Sequence, residues 1–292
     1  MNEVESETSE VLREDVEYLN LDGRSLVATV YRPTGAGPFP MALEVHGGAW
    51  CRGGRQDEHS LNQALASQGI VVAALDFRMP PEASYPGSLC DINAALRWFK
   101  AHAARWRADP GAVGIMGVSS GGHQAVLAAM RARAPRYAAV PLPGDAQIDA
   151  RAAFVVACWP VIDPLGRYRY AKVMRSSGKP YPEALDRVIP DHEKYWLTET
   201  AMLEGAPADA LQRGEAMDLP ALLCIQGEDD IVHPREHLNR FVAAYETAGG
   251  DVTLRLYPDQ VEGFITKKPA QAATAMAIRD IAVFIKRFGA SA

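Results

Sequence analysis

Short, nearly uninterrupted apolar runs constrain this chain more than any other feature: IVVAAL at 70–75, AVGIM at 112–116, AAFVVACW at 152–159 and ALLCIQ at 221–226. Runs of this length without polar alternation suit strands covered on both faces, the condition of a parallel sheet. Segments with helical spacing lie between them, as in 89–106, where Leu89, Ile92, Ala95, Leu96 and Phe99 share a face. Helices are also expected at 61–67, 122–133, 237–248 and 270–288, and Gly249-Gly250 stops the one before it. Further strands are expected at 41–45 and 252–257. The pair 16–21 and 25–31, joined by Asp22-Gly23, reads as an antiparallel hairpin at one edge. Alternating strands and helices place the chain in the α/β class, with a mostly parallel sheet and helices on both faces.

One stretch breaks the alternation. Residues 164–216 carry Tyr, Arg, Pro and Glu but no strand pattern, and they fall between two core strands. An insertion at the carboxyl edge of a parallel sheet is a natural cap over a ligand site. We therefore expect one domain over 14–292 with a cap at about 164–216, preceded by a disordered acidic tail at 1–13.

Composition narrows the function classes. The 292 residues carry a net charge of −6, and the 30 Lys and Arg are scattered. That balance argues against nucleic acid or an anionic membrane as partner. The longest apolar stretch, eight residues at 152–159, is far short of the roughly 20 a membrane span needs. The opening MNEVESETSE lacks the basic start and apolar stretch of a signal peptide. The four cysteines, 51, 90, 158 and 224, form no CxxC pair and read as reduced thiols in a cytoplasmic protein, too widely spaced for zinc. A small-molecule substrate is the expected partner, and a homodimer is compatible with the sequence.

Three motifs carry chemistry. Gly117-Val118-Ser119-Ser120-Gly121 follows a buried strand and opens a helix, the context a nucleophile elbow requires. Small flanking residues let strand and helix approach, so the Ser119 hydroxyl is presented on a tight turn. His46-Gly47-Gly48-Ala49-Trp50 ends an earlier strand, and the N–H groups of Gly48 and Ala49 could join that of Ser120 around an oxyanion. His46 is expected to hydrogen-bond that loop in place rather than act as a base. Gly227-Glu228-Asp229-Asp230-Ile231-Val232-His233-Pro234 follows a core strand and supplies a carboxylate, for which Asp230 is preferred to Asp229.

On these residues the chain resembles the α/β-hydrolase fold, and within it the HGGxW esterases, including kynurenine-formamidase-like and hormone-sensitive-lipase-like carboxylesterases. The likeness runs from about 14 to 290. It rests on HGGAW at 46–50, ALDFRMPPEASYP at 74–86, residues 91–98, DPGAVGIMGVSSGGH at 109–123 and GEDDIVHP at 227–234. The resemblance implies Ser119 as nucleophile, Asp230 as acid, and an oxyanion hole at Gly48, Ala49 and Ser120. It also implies cleavage of a small carboxylic ester or amide without cofactor or metal. Arg78 and Asp91 fall on positions resembling a scaffold pair. Trp50 and Trp159 suit either pocket walls or core packing.

The family places its catalytic histidine in a phrase resembling YPxxxHGF. Here that phrase is Tyr257-Pro258-Asp259-Gln260-Val261-Glu262-Gly263-Phe264, and no histidine follows His237. An imidazole with an ordinary pKa of about 6.5 can take and return a proton at neutral pH, whereas a glutamate at about 4.3 is a weaker base. Beside Asp230, Glu262 would form a proton-sharing carboxylate pair. The expected site is therefore Ser119 with Asp230 and Glu262 as acid–base pair. The alternatives are a lyase, dehydratase or cyclase in the same pocket, a ligand-binding pseudoenzyme, and a disabling substitution at 262. Of the other histidines, only His192 and His233 are placed to reach Ser119, and Glu262 is preferred to both. The cap's Tyr168, Tyr170, Tyr181, Tyr195 and Trp196, with Arg167, Arg169, Lys172 and Arg175, hint at an aromatic or acidic ligand, although an ordinary solvated surface is preferred.

Overall fold

The computed structural model describes residues 10–142 and 147–288. Its first elements are β1 (Val11–Leu21) and β2 (Arg24–Pro33), antiparallel partners joined where Asp22 and Gly23 both take positive φ. Strand pairing reaches Val11 opposite Pro33. The expected tail at 1–13 is thus too long by at least three residues, because the ladder to β2 claims the backbone of 11–13; residues 1–9 lie outside the described residues. The segment bends at a register shift between Glu17 and Leu19.

The chain then winds through β3 (Phe39–Val45), α1 (His59–Ser67), β4 (Val71–Leu75), α2 (Gly87–His102), β5 (Ala108–Val118), α3 (Ser120–Met130) and β6 (Phe154–Cys158). The eight strands lie in the order β1-β2-β4-β3-β5-β6-β7-β8, with β7 (Ala221–Gly227) and β8 (Val252–Tyr257) completing the sheet. Only the β1–β2 and β2–β4 pairs are antiparallel; the five others run parallel. All five residues of β4 and all five of β6 are buried, as strands under helices on both faces must be. Two apolar clusters result, one on each face. Leu43, Ile92, Phe99 and Ile115 belong to one; Ala42, Leu65, Val156 and Ile281 belong to the other.

Between β6 and β7 the chain forms α4 (Pro164–Ser176), α5 (Ala184–Trp196), α6 (Glu199–Glu204) and α7 (Pro207–Gln212). Asp163 caps α4 by accepting from the Gly166 N–H at 2.7 Å, and Thr198 caps α6 through the Ala201 N–H. The remaining helices are α8 (Arg235–Thr247), α9 (Phe264–Lys267) and α10 (Ala272–Lys286). Arg78 and Asp91 join through a backbone N–H contact of 2.9 Å and a guanidinium contact of 2.7 Å, binding the loop after β4 to α2. Asp91 is fully buried and the pair is structural. Among the described residues no helix is long and apolar enough to cross a membrane.

Candidate active site

The carboxyl edge of the sheet gathers the three motifs. β5 ends at Val118, and Ser119 turns sharply, with φ +53°, into α3. A Cβ on Gly117 would lie 2.5 Å from the Gly121 backbone, and one on Gly121 would lie 2.0 Å from the Val45 carbonyl oxygen. Glycine at both positions is therefore a steric requirement of the turn. The Ser119 N–H donates to the Cys158 carbonyl at 2.9 Å, and its own carbonyl accepts from Val161 at 3.1 Å, so the bend is pinned on both sides. Strain at a non-glycine residue persists only where neighbours over-determine it.

The loop after β3 approaches the same point. Gly48, Ala49 and Trp50 all have positive φ, and the Trp50 N–H donates to Ser120 Oγ at 3.2 Å. The N–H groups of Gly48 and Ala49 make no hydrogen bond among the described residues. That of Ser120 opens α3, in the turn where helical N–H groups lack an intrahelical partner. His46 makes a 2.7 Å bond to the Gly47 carbonyl and stacks on Phe77, as a brace for this loop.

The loop after β7 supplies the rest. Asp230 Oδ1 accepts from the N–H groups of Val232 and His233 at 2.9 and 3.0 Å, and Oδ2 accepts from His233 Nδ1 at 2.9 Å. Burial works against the ionised form of Asp230. The His233 imidazole and these donors outweigh it and hold the carboxyl below the usual carboxylate range. His233 then extends Nε2 to within 3.3 Å of Ser119 Oγ. With Nδ1–H held by the carboxylate, Nε2 is the lone-pair nitrogen and the hydroxyl donates. Gln226 Nε2 fixes the loop through the His233 carbonyl at 2.7 Å, and Arg235 ties it back to the Gly227 carbonyl at 2.9 Å.

This arrangement corrects the expected partnership of Asp230 with Glu262. The Glu262 carboxylate pairs with Lys267, one turn further on, and its hydrogen bonds do not include Asp230. Asp230 has its acceptor sites filled by the turn that carries His233. Glu262 does lie in the wall of the hollow around Ser119. His233, ranked behind Glu262 on the sequence, is the imidazole that meets the serine. The available signal was Asp-x-x-His: an aspartate accepting from N–H groups two and three residues on folds the fourth side chain back over itself.

Two further histidines lie buried beneath the cap. His123 accepts from Trp50 Nε1 at 3.3 Å through Nδ1 and meets the Gly205 carbonyl at 2.7 Å through Nε2. Burial pushes its pKa down to about 4. His192 is bound at Nδ1 to the Val188 carbonyl at 2.6 Å and packs edge-on to Trp50. Trp50 is core beneath the cap, stacked on Tyr195, whereas Trp159 lines the Ser119 hollow.

Two adjoining hollows share Gly48, Ser119 and Glu262. One, of about 160 Å³, is bounded by Glu58, Trp159, Thr266 and Lys267; the other, of about 110 Å³ under the cap, by Ala49, Arg167, Val188 and Val232. Larger surface hollows of about 560 and 550 Å³ lie elsewhere and do not include Ser119. Among the described residues no group of three or more His, Cys, Asp or Glu is arranged to hold a metal.

Glu58 adds an electrostatic feature. Burial pushes its carboxyl up to about 7, while a bond from Thr266 opposes the shift. A carboxyl raised in the folded state contributes stability below its unfolded value, and loses it as pH rises through the folded one. Glu58→Gln is therefore expected to gain about 2 kcal/mol on the parent between pH 5 and pH 8. Urea unfolding of both proteins at the two pH values measures this; a constant difference refutes it.

The sheet order, the elbow and the capped edge together define an α/β-hydrolase fold. More narrowly, the pattern of the BD-FAE family matches residues 29–185, and the chain belongs to that family. It is 28% identical over 207 residues to esterase LipC of Mycobacterium tuberculosis, covering 70% of this chain and 48% of that one. It is 37% identical over 97 residues to carboxylesterase NlhH of Mycobacterium tuberculosis, covering 32% of this chain and 30% of that one. The chain spans about half the length, or less, of the curated relatives it matches. Among solved structures, the esterase of Pyrobaculum calidifontis superposes with a TM-score of 0.76 at 22% identity, over 97% of this chain and 86% of that one. A bacterial heroin esterase gives 0.76 at 22% identity, over 99% and 87%. At that identity the likeness speaks for the fold.

Proposed function

We propose that this protein hydrolyses a small carboxylic ester or amide through Ser119, His233 and Asp230. The observation that carries the reading is the continuous chain from Ser119 Oγ to His233 Nε2 at 3.3 Å and from His233 Nδ1 to Asp230 Oδ2 at 2.9 Å. His233 takes the hydroxyl proton as Oγ attacks the carbonyl carbon. The oxyanion that forms is met by the N–H groups of Gly48, Ala49 and Ser120. As the intermediate collapses, the alcohol or amine leaves with the proton from His233, and Ser119 is acylated. Water, deprotonated by the same imidazole, then releases the acid and restores Ser119. Asp230, kept ionised, orients the ring and stabilises the imidazolium.

In this reading Glu262 is a wall residue neutralised by Lys267, not the base. Names of relatives as esterases and a carboxylesterase support the reaction class. Four free thiols support a reducing compartment, and the cytoplasm is the proposed location.

The test is p-nitrophenyl acetate and butyrate hydrolysis together with fluorophosphonate labelling. The expected result is turnover of both esters and a single covalent adduct, located on Ser119 by peptide mass. Turnover with no adduct on Ser119, or neither turnover nor adduct, overturns the proposal.

A further inference from the structure

The cap presents a buried guanidinium to the reacting serine. Arg167 stands in the first turn of α4 and is only 5% exposed. Its Nε donates to the Val232 carbonyl at 3.3 Å, and its Nη1 is buried with no hydrogen-bond partner. Arg167 forms no ion pair among the described residues, unlike Arg52, which pairs with Asp191, and Lys267, which pairs with Glu262. Burial lowers its pKa to about 10, opposed by the fields of Asp230, Glu262 and Asp191. Those three carboxylates are each already engaged, with His233, Lys267 and Arg52 respectively.

A buried cation with an unsatisfied donor is costly unless something supplies the missing acceptor. Arg167 lines the 110 Å³ hollow that also contains Ser119, so the natural acceptor is a substrate group. Guanidinium favours carboxylate, which it can bind through two parallel N–H bonds. Arg187 stands exposed at the same wall and adds positive field at the entrance.

We propose that the substrate carries a second, anionic carboxylate a few bonds from the scissile carbonyl, and that Arg167 binds it. This rests on the hydrolase reading above and narrows it to half-esters or related amides of short diacids, or esters of short hydroxy acids. The small hollow excludes long acyl chains on that side.

Two measurements separate this proposal from the reaction itself. In the first, Ser119→Ala protein is titrated calorimetrically with succinate and with butyrate. Succinate is expected to bind about tenfold tighter or more, Ser119→Ala/Arg167→Met to lose the preference, and Ser119→Ala/Arg167→Lys to keep part of it. In the second, kcat/KM is compared for monomethyl succinate, acetoxyacetate and methyl butyrate. The carboxylate lies in the acyl half of the first and in the alcohol half of the second. At least one is expected to exceed methyl butyrate by about tenfold, and Arg167→Met to abolish that margin by lowering kcat/KM about tenfold more for the carboxylate ester than for methyl butyrate.

Equal losses on all three esters would mean that Arg167 only holds the Val232 loop, and would overturn the proposal. So would a succinate preference that is absent, or unchanged in Arg167→Met. If no ester is cleaved while the succinate preference stands and depends on Arg167, the hydrolase reading fails and the carboxylate site survives.

Discussion

Replacing His233 by alanine is expected to lower kcat/KM for p-nitrophenyl butyrate on the order of 10⁴-fold, about as far as Ser119→Ala. The two groups act as one unit, so the double variant should lose little more than either single one. Glu262→Gln should stay within about tenfold of the parent, because in the proposed mechanism its carboxylate, paired with Lys267, takes no proton. These three variants decide between two bases. A His233→Ala protein near parental activity, with Glu262→Gln as inactive as Ser119→Ala, would establish Glu262 as the base and refute the imidazole. Far-ultraviolet circular dichroism of each variant checks that loss of rate is not loss of fold.

The second large effect is structural. Gly121 is the second residue of α3, where helix propensity favours alanine by about 1 kcal/mol. The tertiary contact opposes this, since an added Cβ would sit 2.0 Å from Val45 O and 2.4 Å from His46 O, both rigid backbone atoms. Relief requires α3 to withdraw from the β3 edge, which breaks the elbow and the HGGAW loop together. Gly121→Ala should therefore cost about 3 kcal/mol or more, lowering Tm by roughly 10 °C, with activity lost in parallel. Gly54→Ala is the control, because its Cβ meets only Asp76 Oδ1, at 3.6 Å, and it should leave Tm nearly unchanged. A Gly121→Ala protein as stable as the parent would show that the strand–helix approach can relax.

The particular residues show why much of this was readable in advance. β4 and β6 announce themselves because a strand buried on both faces has no room for polar residues. Ser119 is legible because the turn tolerates only glycine at 117 and 121, which leaves a mark at fixed spacing. Boundaries were less legible. β5 begins at Ala108, four residues before the apolar run at 112, because pairing of Phe39 with Ala108 extends a ladder that needs no apolar side chains there. β1 reaches Val11 for the same reason.

The contact between His233 and Ser119 was hard to read for a different reason. Likeness places the histidine after β8, whereas geometry allows any imidazole that can meet both a carboxylate and the hydroxyl. His233 does so only through a side-chain-to-backbone turn at Asp230, a conformation that leaves no period and no composition bias. Arg167 was visible as one of several basic cap residues. What sets it apart from Arg169 or Arg175 is burial, which a residue list does not carry.

In the proposed mechanism two of the three reacting groups, Asp230 and His233, ride on one short loop, which sets how the protein would fail. When acid and imidazole come from separate loops, any slippage between the last two strands detunes them. Here Asp230 and His233 are held by the same turn, and β8 is an outer strand with Arg255 and Leu256 exposed. The loop is tied to the end of that strand, since the Glu228 N–H donates to the Tyr257 carbonyl and the Asp229 N–H to the Gln260 carbonyl, both at 2.9 Å, so peeling of β8 would loosen acid and imidazole together. Thermal inactivation should then follow the loosening of the β7–β8 edge, and the stretch between β8 and α10, which carries Gln260, Glu262, Thr266 and Lys267 against the site, is a poor place to graft foreign sequence.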